Sequence, residues 1–437
     1  MYNNFSWEFT KHGDKVQLTV MDRNLNMAME WGLFAVIFFL PISMPAVSAA
    51  LLFCVSVWVV KAIYRRQYKW VSTPLDLPIG AFVGIAGLSI WGSPDRFVSF
   101  YNYGYLMVHY VLAFYLIVHH IQTFDQIKRL LMVLFFSATL TSFYGFYQYI
   151  HCVDISQYRW VDGEQFPGLR ARIFSTMENP NIYAGYMVTV IALAGGMMLT
   201  AMQRKVKLCY IGLLCVFCTC LALTYSRGGW VSFLSVLATL ALFRSKRLLW
   251  LVVAVPLIAI LVNPMLIERF ASIIHPVDSS SALRIALWES SWAMLVEHPL
   301  LGIGWGAYWM VYPNYDFFIN NSATTIFHAH NMYLHIGAEL GFLGLGAFIW
   351  LLVSVLRMAL TLNRQCSQHE ICGISLGLAA AIIGIIINGL TDHVMFNIQM
   401  SIFFWIIAGI TVSISMFIQP GKRLGTGSSE VKGLSKV

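Results

Sequence analysis

The chain has 437 residues, of which 58% are hydrophobic, 15% aromatic and only 11% charged, with a mean hydropathy of +0.69. A water-soluble chain carries roughly a quarter charged residues, so this one lacks the polar surface to face water on all sides. Disordered, collagenous and disulfide-scaffold classes are excluded, and in a membrane chain the net charge of +8 reads as topology rather than as affinity for nucleic acid.

Residues 1–26 are polar and mixed in charge (Lys11, Asp14, Lys15, Asp22, Arg23), with no short apolar core followed by a cleavage site. They are expected to form a cytoplasmic tail, leaving the first span as the membrane signal. Apolar runs long enough to cross about 30 Å of hydrocarbon follow at 27–43, 45–63, 77–93, 104–120, 130–150, 181–201, 208–225, 228–243, 248–264, 331–356, 371–391 and 394–418. The expectation is an all-α polytopic membrane protein of about twelve transmembrane helices. Pro41 and Pro45 divide the first long apolar stretch into two rather short spans, whose boundaries are the least well defined. Cys54, Cys209, Cys215, Cys218 and Cys220 lie in apolar runs, where cysteine behaves as a small hydrophobe.

Charge placement tests this count. With both ends inside, the cytoplasmic connections hold 21 of the 28 cations, among them Lys61, Arg65, Lys128, Arg129 and Arg204. Every connection on that side is basic, as the positive-inside rule requires. The seven cations left outside are all arginines: Arg96, Arg159, Arg170, Arg172, Arg227, Arg269 and Arg284. Two outer loops are long, 151–180 and 265–330, and the second contains a helix-like stretch from Ser281 to Glu297 with Trp288 and Trp292 four apart. An aromatic amphipathic segment of this kind is expected to lie along the membrane surface. Residues 419–437 form a cytoplasmic Gly/Ser/Lys tail.

Arginine binds phosphate oxygens with a planar fork and keeps its charge at any relevant pH, whereas lysine would serve equally for solubility. Arg227 sits in Ser226-Arg227-Gly228-Gly229 between two spans, where small neighbours admit a large anionic group. Arg284 opens the loop helix, and Arg172 precedes Asn179-Pro180-Asn181, which starts a helix whose N-terminus favours anions. The plainer alternative is that such arginines bind lipid headgroups. The run Phe327-His328-Ala329-His330-Asn331 places imidazoles where the outer loop re-enters the membrane, suited to accept a proton from an attacking hydroxyl. A metal site built on His328, His330, His335 and Glu339 is the rival reading; these residues lie on different faces, and no paired-carboxylate motif accompanies them. Glu339 falls about two turns inside the next span, where a carboxylate marks function or helix–helix hydrogen bonding. Gly337, Gly341, Gly344 and Gly346 on that helix are expected only to permit close packing. Asp392 and His393, at the last outer turn, could face the same cavity.

In this order these features resemble the O-antigen ligase family of bacterial membrane glycosyltransferases, which also includes O-antigen polymerases and protein O-oligosaccharyltransferases. The resemblance rests on Arg172 to Asn181 (RIFSTMENPN), Ser226-Arg227-Gly228, Arg284-x-x-x-Trp288, and the run His298 to Gly306 (HPLLGIGWG). It is completed by His330-Asn331, nine residues, then Gly341-x-x-Gly344. It covers about residues 165–350 specifically and the rest by topology. What it implies is a GT-C-like, inverting transferase with no cofactor and no metal. Such an enzyme moves a glycan from undecaprenyl diphosphate to an acceptor hydroxyl, lipid A-core or another glycan, at the outer face of the bacterial cytoplasmic membrane. Carried over by motif, Arg227 and Arg284 would hold the diphosphate and His330 would be the general base. Arg172, Asn179, Asn181, Trp288, Asn331 and His328 would contact substrate. The expected partners are the lipid-linked donor, the acceptor and membrane lipids, with no nucleic acid. A polymerase using a lipid-linked repeat as acceptor stands as the alternative within the family, and a twelve-helix transporter or flippase outside it. The candidate residues cluster on one side and the halves look unrelated, which disfavours a transporter.

Overall fold

The computed structural model describes residues 9–11, 14–16, 19–65, 70–151, 172–244, 246, 249–250, 252–254, 279–316 and 325–418. Apart from an antiparallel pair of three-residue strands, Phe9–Lys11 with Asp14–Val16, the described chain is helical. The helices are α1 (Val20–Phe39), α2 (Met44–Arg65), α3 (Asp76–Ser89), α4 (Arg96–His120), α5 (Phe124–Ile150), α6 (Pro180–Thr200), α7 (Arg204–Leu223) and α8 (Arg227–Arg244). They continue as α9 (Ser279–Glu297), α10 (Tyr308–Val311), α11 (Met332–Gln365), α12 (His369–Asn388) and α13 (Ile398–Ile418). Among the described residues seven are long and apolar enough to cross a membrane: α2, α5, α6, α7, α11, α12 and α13. A helix also stands at each of the other expected spans except 248–264, which lies mostly outside the described residues, as does most of the loop 151–180.

Local signals set the helix starts. Thr19 caps α1 by accepting from the Asp22 amide, Asp95 caps α4, and Thr123 forms a capping box with Gln126 at α5. The break between α1 and α2 falls at Leu40–Ser43, where Pro41 cannot continue the helical ladder. Helix α1 begins at Val20, before the apolar run starts at residue 27, so Glu30 lies inside it and pairs with Arg129 of α5 at 2.6 Å. The apolar run marks only hydrocarbon, whereas the helix continues into the polar zone.

Helices α6 and α13 are buried round most of their circumference, and α7 is mostly exposed. Hydrophobic residues all round a helix are required in both situations, a packed centre or a lipid-facing edge. At the centre α6 and α12 approach through Gly196, Gly373 and Gly377, the small residues that let membrane helices meet closely. Helix α9 and the segment after it form a second hydrophobic cluster built from Leu287, Met294, Ile303, Tyr308 and Tyr312. Cys366 and Cys372 are joined by a disulfide across the turn between α11 and α12.

Candidate functional site

The site is assembled at the α11 N-terminus. Asn331 caps that helix, its Oδ1 accepting from the Tyr333 and Leu334 amides at 3.0 Å, while its Nδ2 donates to the Leu390 carbonyl at 3.0 Å. The Met332 amide donates to the Gly389 carbonyl at 2.8 Å. These bonds tie the loop after α12 to the loop before α11, which sets His330 against Asp392. His330 has φ +48°, a left-handed conformation costly for a residue with a side chain and held here by the bonds on either side.

Each oxygen of Asp392 is used. Oδ1 accepts from His330 Nδ1 at 3.1 Å and from the His393 amide at 2.8 Å, and Oδ2 faces the Arg284 guanidinium at 3.8 Å. Burial opposes ionisation of Asp392, but His330 and Arg284, with His328 behind them, outweigh it and hold the carboxyl well below the usual carboxylate range. With Nδ1 directed at Asp392, His330 leaves Nε2 for another partner. His328 Nδ1 accepts from the His330 amide at 3.3 Å, so that nitrogen carries no proton. Desolvation, with His330 and Arg284 nearby, pushes the His328 imidazole down to about 3 and keeps it neutral. His393, buried beside His328, is likewise held well below the imidazole range. The rings of His335 and His393 lie 4.5 Å apart, and Nδ1 of each is buried without a hydrogen-bond partner among the described residues.

Arg227 begins α8 beside this cluster. A Cβ on Gly228 would fall 2.5 Å from Thr391 Oγ1, so only glycine lets α8 approach the residue next to Asp392. Arg172 braces the turn that leads into Arg227. It is buried, its Nε donates to the Thr224 carbonyl at 2.9 Å and its Nη2 to Asn181 Oδ1 at 3.3 Å, and Ile173 adds a backbone bond to Leu223. Asn179 caps α6, accepting from the Asn181 amide at 2.8 Å. The carboxamides of Asn179, Asn181 and Asn331, expected to contact substrate, are therefore occupied within the protein, wholly or in part. Trp288, one turn beyond Arg284 on α9, has a buried indole N–H without a partner among the described residues.

Two sequence expectations change at α11. Gly341 does more than permit packing: at φ +68° it interrupts the helix, and a Cβ there would lie 2.4 Å from the Leu300 backbone. Without the break the Phe342 amide would donate to the Ala338 carbonyl; it donates instead to Pro299 O at 2.7 Å. The freed carbonyls of Ala338 and Glu339 accept from Ile303 and Gly304 at 2.9 and 3.0 Å. The HPLLGIGWG run thus repairs the interrupted helix, which answers where the orphaned backbone groups go. Glu339 serves the same loop. Its carboxylate accepts from the Gly306 and Tyr308 amides at 2.9 and 3.2 Å, with His335 Nε2 3.5 Å away, so it bonds a loop backbone rather than a neighbouring helix.

Residues 211–349, from within α7 to the middle of α11, match the family model described as O-antigen ligase. This segment is similar to the O-antigen ligase family. Among curated proteins no relative matches the chain. The matched segment contains Arg227, Arg284, Trp288, His328, His330 and Asn331, whereas Arg172, Asn179, Asn181 and Asp392 lie outside it and are brought to it by the fold. Asp392 is the residue that sequence reasoning undervalued; the adjacent Asp392-His393 pair at an outer turn was its only signal.

Proposed function

We propose that the chain is a metal-independent, inverting glycosyltransferase of the O-antigen ligase type. The observation that carries this reading is the shared Asp392 carboxylate, which fixes His330 on one oxygen and faces Arg284 with the other. His330 Nε2 takes the proton of an acceptor hydroxyl as its oxygen attacks the anomeric carbon from the face opposite the leaving group. The bond from that carbon to the diphosphate oxygen breaks, its electron pair stays on the phosphate, and the sugar inverts. Arg284 and Arg227 hold the diphosphate and stabilise the charge it gains. The donor is undecaprenyl-diphosphate glycan and the acceptor lipid A-core, with a lipid-linked repeat as the polymerase alternative.

The same reading places twelve spans in the cytoplasmic membrane, with the site outside and both termini inside. In that orientation Cys366 and Cys372 face the cytosol, where they would stand as two thiols. One observation favours a second reading: ligand atoms of His328, His330 and Asp392 lie within 4.8 Å of one another, close enough to share a cation. The Arg284 guanidinium 3.8 Å from Asp392 disfavours a cation there by like-charge repulsion.

The test is a transfer assay with purified protein, lipid-diphosphate glycan and either lipid A-core or lipid-linked repeat as acceptor, with and without chelator. Transfer to lipid A-core that survives chelation and falls in Asp392→Asn supports the proposal. Transfer restored only by added metal supports the second reading, and product formed solely on the lipid-linked repeat makes the chain a polymerase.

A further inference from the structure

At the opposite end of the bundle a cavity of about 650 Å³ opens between the start of α1, the end of α4 and the start of α5. Helix α4 runs from the candidate site's end, where Ser93 meets Gly304, to His120 at this cavity, and its 25 residues span about 37 Å. Nothing in the transfer reaction uses this space.

Its lining is graded. Along one face of α1, Arg23 is followed by Met27, Trp31 and Phe34 at helical spacing, so a cation at the rim gives way to an apolar wall. The polar part is rich in donors. Asn26 Oδ1 already accepts from Lys61 at 2.7 Å, and Gln126 Oε1 from the Gln122 and Thr123 amides at 2.8 and 3.1 Å, which leaves their NH₂ groups for an occupant. His120 contributes to the cavity wall, but both its ring nitrogens are themselves buried, without a partner among the described residues. Arg129, the second cation, is held by Glu30 at 2.6 Å.

We infer that this cavity binds an anionic phospholipid, its phosphodiester held by Arg23 and Arg129 and its acyl chains laid along Trp31 and Phe34. Donors and cations around an apolar wall match an amphiphile with an acidic head; a free phosphate would use only the head site. Glu30 competes with the phosphate for Arg129, which sets the affinity below what two free arginines would reach.

Titration of the full-length protein in detergent, followed by native mass spectrometry, tests this with phosphatidylglycerol and phosphatidylcholine as probes. The wild type is expected to prefer phosphatidylglycerol, Arg23→Gln to weaken it about fivefold, as expected for one cation near a lipid headgroup, and the double variant Arg23→Gln, Arg129→Gln to weaken it further. Glu30→Gln is expected to strengthen it, an effect that a merely structural ion pair would not produce. Thermal melts identify any variant that fails to fold. Equal retention of both lipids, unchanged binding in Arg23→Gln, or displacement of the lipid by millimolar inorganic phosphate would each overturn the inference.

Discussion

The two ends of the helix bundle handle charge in opposite ways. At the end bearing the cavity, several cations are tied up by carboxylates: Arg65 by Asp22 at 2.8 Å, Arg129 by Glu30 at 2.6 Å, and Lys128 by both Asp125 and Glu370 at 2.8 and 3.1 Å. At the other end one carboxylate, Asp392, serves both Arg284 and His330, with His328 behind them. Its backbone is also unusual, since His330, Tyr225 and Gly341 all have positive φ. Paired charges hold helices together and are spent in doing so. An arginine that shares its carboxylate with an imidazole, on a strained, many-bonded frame, keeps field available for a substrate anion and fixes the geometry before it arrives.

Breaking the site end should have the largest consequences. His330→Ala is expected to lower kcat for glycan transfer by about 10²–10⁴, the range of a positioned general base, with little change in melting temperature. Arg284→Ala is expected to cost about 10²–10³ in kcat/KM, read in the same assay, because one stabilising donor to the leaving diphosphate is lost. Gly341→Ala attacks the frame rather than the chemistry. It forces a side chain into a left-handed conformation and against the Leu300 backbone, and is expected to destabilise by roughly 2–4 kcal/mol in thermal unfolding.

The acid limb sharpens the comparison. His328 is neutral when folded down to a pH of about 3, while an unfolded histidine takes a proton near 6.5, so stability falls as pH drops from about 6.5 toward 3. His328→Gln should flatten this loss, which approaches about 1.4 kcal/mol per pH unit. Asp392 acts at lower pH. Its contribution is present above the ordinary carboxylate pKa of about 4 and is lost as pH falls from there toward its depressed folded value, so it leaves the limb between pH 5 and 6.5 unchanged. At the opposite end, Arg65→Gln removes a partly exposed pair and should change stability by less than about 1 kcal/mol and transfer activity not at all. An activity loss there as large as that of Arg284→Ala would erase the distinction between the two ends.

By itself the sequence determined the class of the protein. Apolar runs of bilayer length, basic connections and the helix start at Asn179-Pro180-Asn181 are local properties, and a helix needs only its own residues to satisfy its backbone in lipid. The ordered motifs likewise led to Arg227, Arg284 and His330, because residue type and spacing carry the chemistry. Only tertiary structure decided what those motifs do. Asp392 is 62 residues from His330 and meets it because Gly389 and Leu390 accept bonds from the α11 N-terminus. The HPLLGIGWG run and Glu339 stand out in the sequence as chemistry, yet they repair the helix that Gly341 breaks. Which carbonyl a freed amide finds, and which carboxylate an imidazole meets, depends on contacts between distant segments, and sequence spacing alone does not encode those distances.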